Sequence, residues 1–343
     1  MTTPVTMGEG NTPLVAGAHS ESLYFKLESC NPSGSYKDRF IAGELADILA
    51  RGSQSCVATS SGNTGSSLAA YCARYGLPCL ILVNQDAPEG KLAQMRAHGA
   101  IVMRIPQFVT SPKITESVFS QLREFADTSG AALVVSAFRY CPVGMRRVQG
   151  ISHEIAEQLP EVDHVFVPVG GGGLYSAVVR GFEDAARMPR VHAVQPEGCP
   201  TVVDAYINSR DEVRSVESTT RISGLSVPFD IDATLALGLA RKHHGMVLGV
   251  SDAEVFEAQR LLLRAEGVYA EPAGATAYAG YRKALASRAI SPAERAVCLV
   301  TGSGFKDPMS IQEASAGLES PMVSYTDVLS ELHRLVKARK TLL

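Results

Sequence analysis

Lys37 stands at the seam between a Gly/Ser-rich turn, NPSGS (31–35), and an amphipathic run, FIAGELADILA (40–50). That pattern places it in the first turn of a helix. The positive end of the helix dipole lies there, so a permanent cation is mildly unfavourable. Two readings follow. Lys37 is a surface lysine with a small electrostatic cost, or it is an amine that sheds its charge by attacking a carbonyl and forming a Schiff base. Three other stretches bear on the choice. SSGNTG (60–65) gathers hydroxyls and an amide between Gly62 and Gly65, which permit close backbone approach. VGGGGL (169–174) has four consecutive glycines, more than a tight turn needs, and the N–H groups of such a loop at a helix start suit a phosphate. TGSGFKDP (301–308) offers the Thr301 hydroxyl ahead of a glycine turn.

Each of the three glycine stretches follows an apolar, β-rich run. SCVATSS (55–61), CLILVN (79–84), AIVMRI (100–105), AALVVSA (131–137), DHVFVPV (163–169), VHAVQPE (191–197) and AVCLVT (296–301) read as strands. Helical patterns separate most of them. They include PEGKLAQMRAHG, with Pro88 at a first helical position, a stretch near 112–128, and a helix from 251 to about 266 opened by the capping box Ser251/Glu254. The alternation predicts an α/β fold with doubly wound, mostly parallel sheets. Ligands in such sheets bind beyond the carboxyl ends of the strands, where all three glycine stretches fall. The polar stretch 200–222 reads as a loop excursion, and the tail from 323 as a helix with a basic end.

The composition is that of a globular protein of one large or two ordinary domains: 343 residues, 45% hydrophobic and 20% charged. The net charge is −3 and no long basic block occurs, so nucleic acid is not an expected partner. None of the seven cysteines forms a C-x-x-C pair. Cys56, Cys79 and Cys298 lie in strand-like runs and read as reduced core residues of a cytoplasmic protein. The start, MTTPVTMGEG, has neither the basic nor the apolar stretch of a signal peptide, and no uncharged apolar run is long enough to span a membrane. No Cys/His spacing suggests a metal. His153-Glu154 lacks the second histidine of a zincin motif, and His243-His244 ends a helical run, where histidines act as caps.

One lysine, one phosphate cradle and one carboxylate-binding turn at strand ends are what pyridoxal 5'-phosphate requires. A dinucleotide site is the rival. Gly171 and Gly173 match the first two glycines of G-x-G-x-x-G, and Glu197 ends the next strand, but Ser176 replaces the third glycine.

The segments GEGNTPL (8–14), KLESCNPSGSYKDR (26–39), SSGNTG, GGGGL, EPAGA (271–275) and TGSGFKDP together resemble the fold-type II pyridoxal-phosphate enzymes, the tryptophan-synthase-β group, and within it the threonine synthases. The resemblance spans almost the whole chain. It implies that Lys37 is the Schiff-base lysine and then the base that moves the α-proton. It implies that Asn63 bonds the coenzyme's ring hydroxyl oxygen and that Thr301 faces the pyridine nitrogen. Gly170, Gly171, Gly172, Gly173 and Leu174 would cradle the phosphate. Ser60, Ser61, Thr64 and Gly65 would bind the substrate carboxylate. It further implies a smaller mobile domain at 45–145, a larger one formed by 1–44 and 146–343, a coenzyme in the cleft between them, an amino-acid substrate, and a cytoplasmic homodimer.

Threonine synthases carry N-P-x-R-x-x-G after the strand at 131–137, where the Asn and Arg help hold the substrate phosphate. Here the segment is CPVGMRR (141–147). Aligning the prolines puts Cys141 at the Asn position and Gly144 at the Arg position, with Arg146 and Arg147 as nearby substitutes. Two activities follow. One is conversion of O-phospho-L-homoserine and water to L-threonine and phosphate. The other, favoured by GGGGL, EPAGA and CPVGMRR, is β-elimination or β-replacement, or dehydration, on serine, threonine or a phosphoserine-like substrate. A non-catalytic coenzyme-binding regulator is a third class, opposed by the presence of Lys37, Asn63 and Thr301. Asp38 and Arg39 either orient the lysine turn or form a surface ion pair. Lys306 and Asp307 match the family motif without an assigned chemistry.

Overall fold

The computed structural model of the protein describes residues 4–60, 62–87, 89–108, 111–318 and 320–340. Its strands are β1 (Leu14–Gly17), β2 (Ser20–Leu27), β3 (Cys56–Ala58), β4 (Cys79–Asn84), β5 (Ile101–Ile105), β6 (Ala132–Val134), β7 (His164–Pro168), β8 (Arg190–Pro196), β9 (Val247–Val250) and β10 (Ala296–Val300). The helices are α1 (Lys37–Ala50), α2 (Asn63–Tyr75), α3 (Glu89–Ala97), α4 (Pro112–Ser129), α5 (Pro142–Val148), α6 (Gly150–Gln158), α7 (Gly173–Glu183), α8 (Thr201–Ile207), α9 (Ala233–Lys242), α10 (Asp252–Leu261), α11 (Pro272–Ala286), α12 (Pro308–Ala314) and α13 (Val328–Lys340).

The strands form two sheets. The larger has the order β1-β2-β10-β7-β8-β9, parallel except for the β1–β2 hairpin. The smaller has the order β5-β4-β3-β6 and is parallel throughout. This is the α/β, doubly wound architecture the alternation predicts. Central strands such as HVFVP and AVCLV are buried along their whole length, because helices cover both faces of a parallel sheet. One continuous core joins Ala58 and Val83 of the smaller sheet to Val165 and Val167 of the larger through α1, α2, α5 and α7. A second core covers the other face of the larger sheet with α10 and α11. Helix α1 packs on both α5 and α2, and it runs unbroken across residue 45.

Local signals act as expected at several ends. Ser251 and Glu254 form the capping box of α10, and Ser111 caps α4 ahead of Pro112. His243 is the C-cap of α9 and bonds Glu183 at 2.9 Å. Cys56, Cys79 and Cys298 are free and buried. Two expectations need correction. The strand expected over 131–137 stops at Val134, because the chain turns at 135–141 through Ala137 N–H to Val135 O (2.7 Å) and Cys141 N–H to Ala137 O (2.8 Å). The stretch 200–222 contains α8, whose apolar residues Val202, Val203 and Ala205 are buried. The helix opened at Ser251 runs to Glu266 as expected, its last turn widening over Leu262–Glu266. Pro88 lies outside the described residues. Among the described residues no group of His, Cys, Asp or Glu is arranged for a metal ion, and no helix is long and apolar enough to cross a membrane.

Candidate active site

Lys37 is the first residue of α1. The turn before it is pinned to the end of β10. Tyr36 N–H donates to Thr301 O at 3.1 Å, and Ser35 bridges to Gly302. The Lys37 amine donates to one neutral partner, Ser136 Oγ at 2.6 Å. Burial pulls its pKa down to about 7, against a smaller upward pull from Asp232. At that value about half of the free amine is neutral near pH 7 and able to accept a proton.

The glycine loop 170–173 closes the same chamber. Gly172 has φ +92°, a left-handed conformation that a side chain would strain, and a Cβ there would overlap the Asp232 carbonyl. Asp232 N–H in turn donates to Gly171 O at 2.8 Å. A Cβ on Gly173 would lie 3.0 Å from Asp232 Oδ2 and 3.5 Å from Ser136 O. Helix α7 begins at Gly173 without a side-chain cap, which leaves its first-turn N–H groups for an anion. Leu174 is buried behind it.

Asn63 opens α2, and its amide donates to Glu271 Oε1 at 2.6 Å. Glu271 is buried, which raises its pKa, and the Asn63 bond opposes that rise. A Cβ on Gly302 would overlap Glu271 Oε1 and lie 3.0 Å from Asn63 Nδ2, so the Thr301–Gly302 turn, Asn63 and Glu271 meet at one point. Thr301 is buried. Ser60 Oγ accepts from Gly62 N–H at 3.3 Å, Thr64 is buried, and Gly65 sits over Ser60 O where a Cβ would overlap. Ser61 lies outside the described residues.

The arginines divide. Arg146 lines an open cleft of about 630 Å³ with Phe138, Arg139, Arg180 and Asp232. That cleft borders the Lys37 chamber at Asp232, whose charge acts on the Lys37 amine. Arg147 packs its stem against Gly43 of α1. The two positions reached by aligning prolines do not face the chamber. Cys141 is buried at the start of α5, and Gly144 is wedged against Phe40 and Glu44. Asp38 and Arg39 do not pair with each other. Asp38 binds Ser33 N–H (2.6 Å), Ser33 Oγ (2.5 Å) and Ser67 Oγ (2.5 Å), while Arg39 binds Glu28 and Glu154.

Sequence reasoning misses Ser136, Arg139, Asp232 and Glu271. Ser136 and Arg139 carry a signal. S-A-F-R (136–139) keeps the spacing of N-P-x-R five residues ahead of the proline-based alignment. Glu271 stands in EPAGA, which carries no role on sequence grounds. Asp232 has no local signal, because it arrives from a distant loop and is held by Phe138 N–H at 2.7 Å and Arg139 N–H at 3.3 Å.

A half-buried amine with one neutral partner, a glycine loop with no room for side chains and an uncapped helix start fit a phosphate-bearing aldehyde. Together with the two-sheet fold they define a fold-type II pyridoxal-phosphate enzyme. The sequence profile of the family "Pyridoxal-phosphate dependent enzyme" matches residues 5–302, and the chain belongs to that family. It is 33% identical over 319 residues to the threonine synthase of Bacillus sp. (strain ULM1), covering 90% of this chain and 86% of that one. It is 32% identical over 349 residues to the threonine synthase of Methanocaldococcus jannaschii, covering 97% and 83%. Its fold is similar to the processed form of threonine deaminase isoform 2 from Solanum lycopersicum (TM-score 0.75, 21% identity, 90% and 84% covered) and to maize serine racemase (TM-score 0.73, 20% identity, 96% and 94% covered). The protein is a pyridoxal-phosphate-dependent lyase, and the dinucleotide reading of GGGGLYS is set aside.

Proposed function

We propose that the protein converts O-phospho-L-homoserine and water to L-threonine and phosphate. The observation that carries this is the placement of Arg139. It stands three residues after Ser136, whose hydroxyl holds the Lys37 amine, which is the spacing of the N-P-x-R segment in threonine synthases. The 33% identity to a threonine synthase supports the same reading.

The chemistry that pyridoxal phosphate supplies when bound is electron withdrawal from the substrate's α-carbon. The chain's residues do the rest. Lys37 would hold the coenzyme, and as a half-neutral free amine it would take up and return protons at the substrate carbons. Ser136 orients that amine. Gly170, Gly171, Gly172, Gly173 and Leu174 receive the coenzyme phosphate at the start of α7. Asn63, its amide fixed by Glu271, would offer its second N–H to the ring oxygen. The neutral hydroxyl of Thr301 would meet the ring nitrogen and leave it largely unprotonated, which would temper electron withdrawal and suit β- and γ-chemistry. Ser60, Ser61, Thr64 and Gly65 bind the substrate carboxylate. Arg139 and Arg146 attract the substrate phosphate, and Arg147, turned onto α1, has no part. A mobile unit at 45–145, a homodimeric state and a cytoplasmic setting complete the proposal.

A second reading is elimination or replacement at the β-carbon of serine, threonine or a phosphoserine-like substrate. It is favoured by Ser136, which offers one hydroxyl where N-P-x-R offers an amide. The test is to supply the coenzyme-loaded protein with O-phospho-L-homoserine and follow threonine and phosphate together. Equal release of both is the expected result. No release, with a cofactor absorption spectrum that still changes on adding L-serine or L-threonine, selects the second reading.

A further inference from the structure

Lys306 and Asp307 follow Thr301 by a few residues and take no part in the chemistry above. Their side chains reach across to the smaller sheet. Lys306 Nζ donates to Gln94 Oε1 at 2.6 Å, and Asp307 Oδ2 lies 3.3 Å from Lys91 Nζ. Both partners stand on α3, the helix between β4 and β5. Gln94 also donates to Ser33 O at 3.2 Å, in the turn that leads to Lys37, and Lys91 also donates to Ser223 Oγ. Gly90 offers no side chain at the contact, where a Cβ would lie 3.7 Å from Pro308. The Lys91–Asp307 pair is sheltered, with side chains 13% and 18% exposed, so solvent and salt screen it less than an open surface pair.

These contacts converge on the reacting residues within a few bonds. Ser303 N–H donates to Gly34 O at 2.9 Å, Gly302 bridges Ser35, and Thr301 O accepts Tyr36 N–H. The loop gripped by α3 is therefore stitched to the turn that presents Lys37, and Thr301 lies at its root.

We propose that Lys91, Gln94, Lys306 and Asp307 form a latch. It holds α3 of the smaller sheet against the loop after β10 and so keeps Thr301 and Lys37 in register when the smaller sheet closes on the site. These four are positioning residues, since they act through Thr301 and Lys37. The two bridges differ in chemistry. One is an ion pair and the other an amide–ammonium bond, so they break independently. The proposal rests on the roles given to Thr301 and Lys37 above.

The test uses the coenzyme-loaded protein with Lys91→Met, Asp307→Asn, their combination, and Gln94→Leu. Asparagine at 307 retains an acceptor for Ser310 N–H (3.2 Å), which caps α12, and loses the charge alone. Amide hydrogen exchange is followed over 89–97 and 301–308. Each single substitution is expected to speed exchange in both segments by about fivefold, the scale of losing one sheltered bridge. The charge double variant exchanges no faster than either charge single, because the pair is already broken. With O-phospho-L-homoserine, kcat is expected to fall by a similar factor while the melting temperature moves by less than about 3 °C. Unchanged exchange in the single variants, fully additive effects of Lys91→Met and Asp307→Asn, or faster exchange confined to 89–97 overturns the latch. Exchange needs no turnover, so a failure of the substrate assignment leaves this readout intact and is recognised by absent threonine in the unaltered protein.

Discussion

Two lysines eleven residues apart, Lys26 buried and Lys37 half-buried, have opposite fates in this chain. Lys26 uses every ammonium hydrogen. It donates to Thr12 O at 2.8 Å, Glu154 Oε2 at 2.6 Å and Gln158 Oε1 at 2.9 Å. Burial lowers its pKa, and Glu154 pulls it back up. Lys37 has one hydroxyl partner, Ser136, and burial takes it to about 7. The lesson is that depth alone does not make a lysine reactive. A buried ammonium with three acceptors is a structural cation, and a half-buried one with a single neutral acceptor is held near the point of losing its proton. Arg39 sharpens the contrast. It lies two residues beyond Lys37 on the same helix, yet it joins the Lys26 network through Glu28 (2.7 Å) and Glu154 (2.6 Å).

The largest effect should separate the two sites cleanly. Lys37→Ala is expected to lower turnover by at least ~10³-fold with no loss of folding stability, whereas Lys26→Met should leave kcat near normal and cost stability. Substantial activity in Lys37→Ala breaks the contrast. Next, Glu154→Ala leaves Lys26 and Arg39 buried without their shared carboxylate. It should destabilise the protein by about 3–5 kcal/mol in denaturant titrations. Loss of less than about 1 kcal/mol would mean that the network is dispensable.

The two sites should also respond to different pH ranges. Burial alone would raise the Glu154 carboxyl, but hydrogen bonds from Arg39 and Lys26 outweigh it and bring it to about 2, below its usual 4.5. Its contribution is therefore complete above about pH 4.5 and fades as pH falls toward 2, which a melting series in acid will follow. Lys37 has a folded value below the unfolded one. The apo-protein should gain stability from this group as pH rises from about 7 toward 10.5, and Lys37→Met should lose that slope. The rate at which apo-protein captures pyridoxal phosphate should rise with pH through a midpoint near 7, and a midpoint near 10 would refute the burial argument. The smallest effect is expected from Ser136→Ala. Loss of one hydrogen bond to the amine, about 1 kcal/mol, corresponds to a roughly fivefold drop in kcat.

Much of both sheets is legible in the sequence. Runs such as CLILVN and AVCLV are long, apolar and β-branched, and Ser251/Glu254 announces a helix by its own chemistry. The hairpin β1–β2 is not, because LVAG and SESLYFKL mix exposed and buried positions and gain their strand character by pairing, β1 with β2 and β2 with β10. The site is legible where it follows strands. Lys37, Asn63, the four glycines and Thr301 stand at the ends of elements whose order in the sheets brings those ends to one side. Ser136, Arg139 and Asp232 are hidden, because a proline invited the wrong register and no short-range pattern ties residue 232 to residue 173.

What the sequence by itself determined was the reactive inventory. It set a lysine at a helix start, glycine loops where backbone must come close, and an alternation that commits the chain to parallel sheets. Those properties depend on neighbours a few residues apart. Only the tertiary structure decided which lysine stays neutral. It also decided which arginine faces the cleft and which carboxylate sits beside the glycine loop. Burial and hydrogen-bond partners come from residues far apart in the chain, 99 positions between Lys37 and Ser136 and 128 between Lys26 and Glu154. The pKa of a buried group is set by those partners and by the water they exclude.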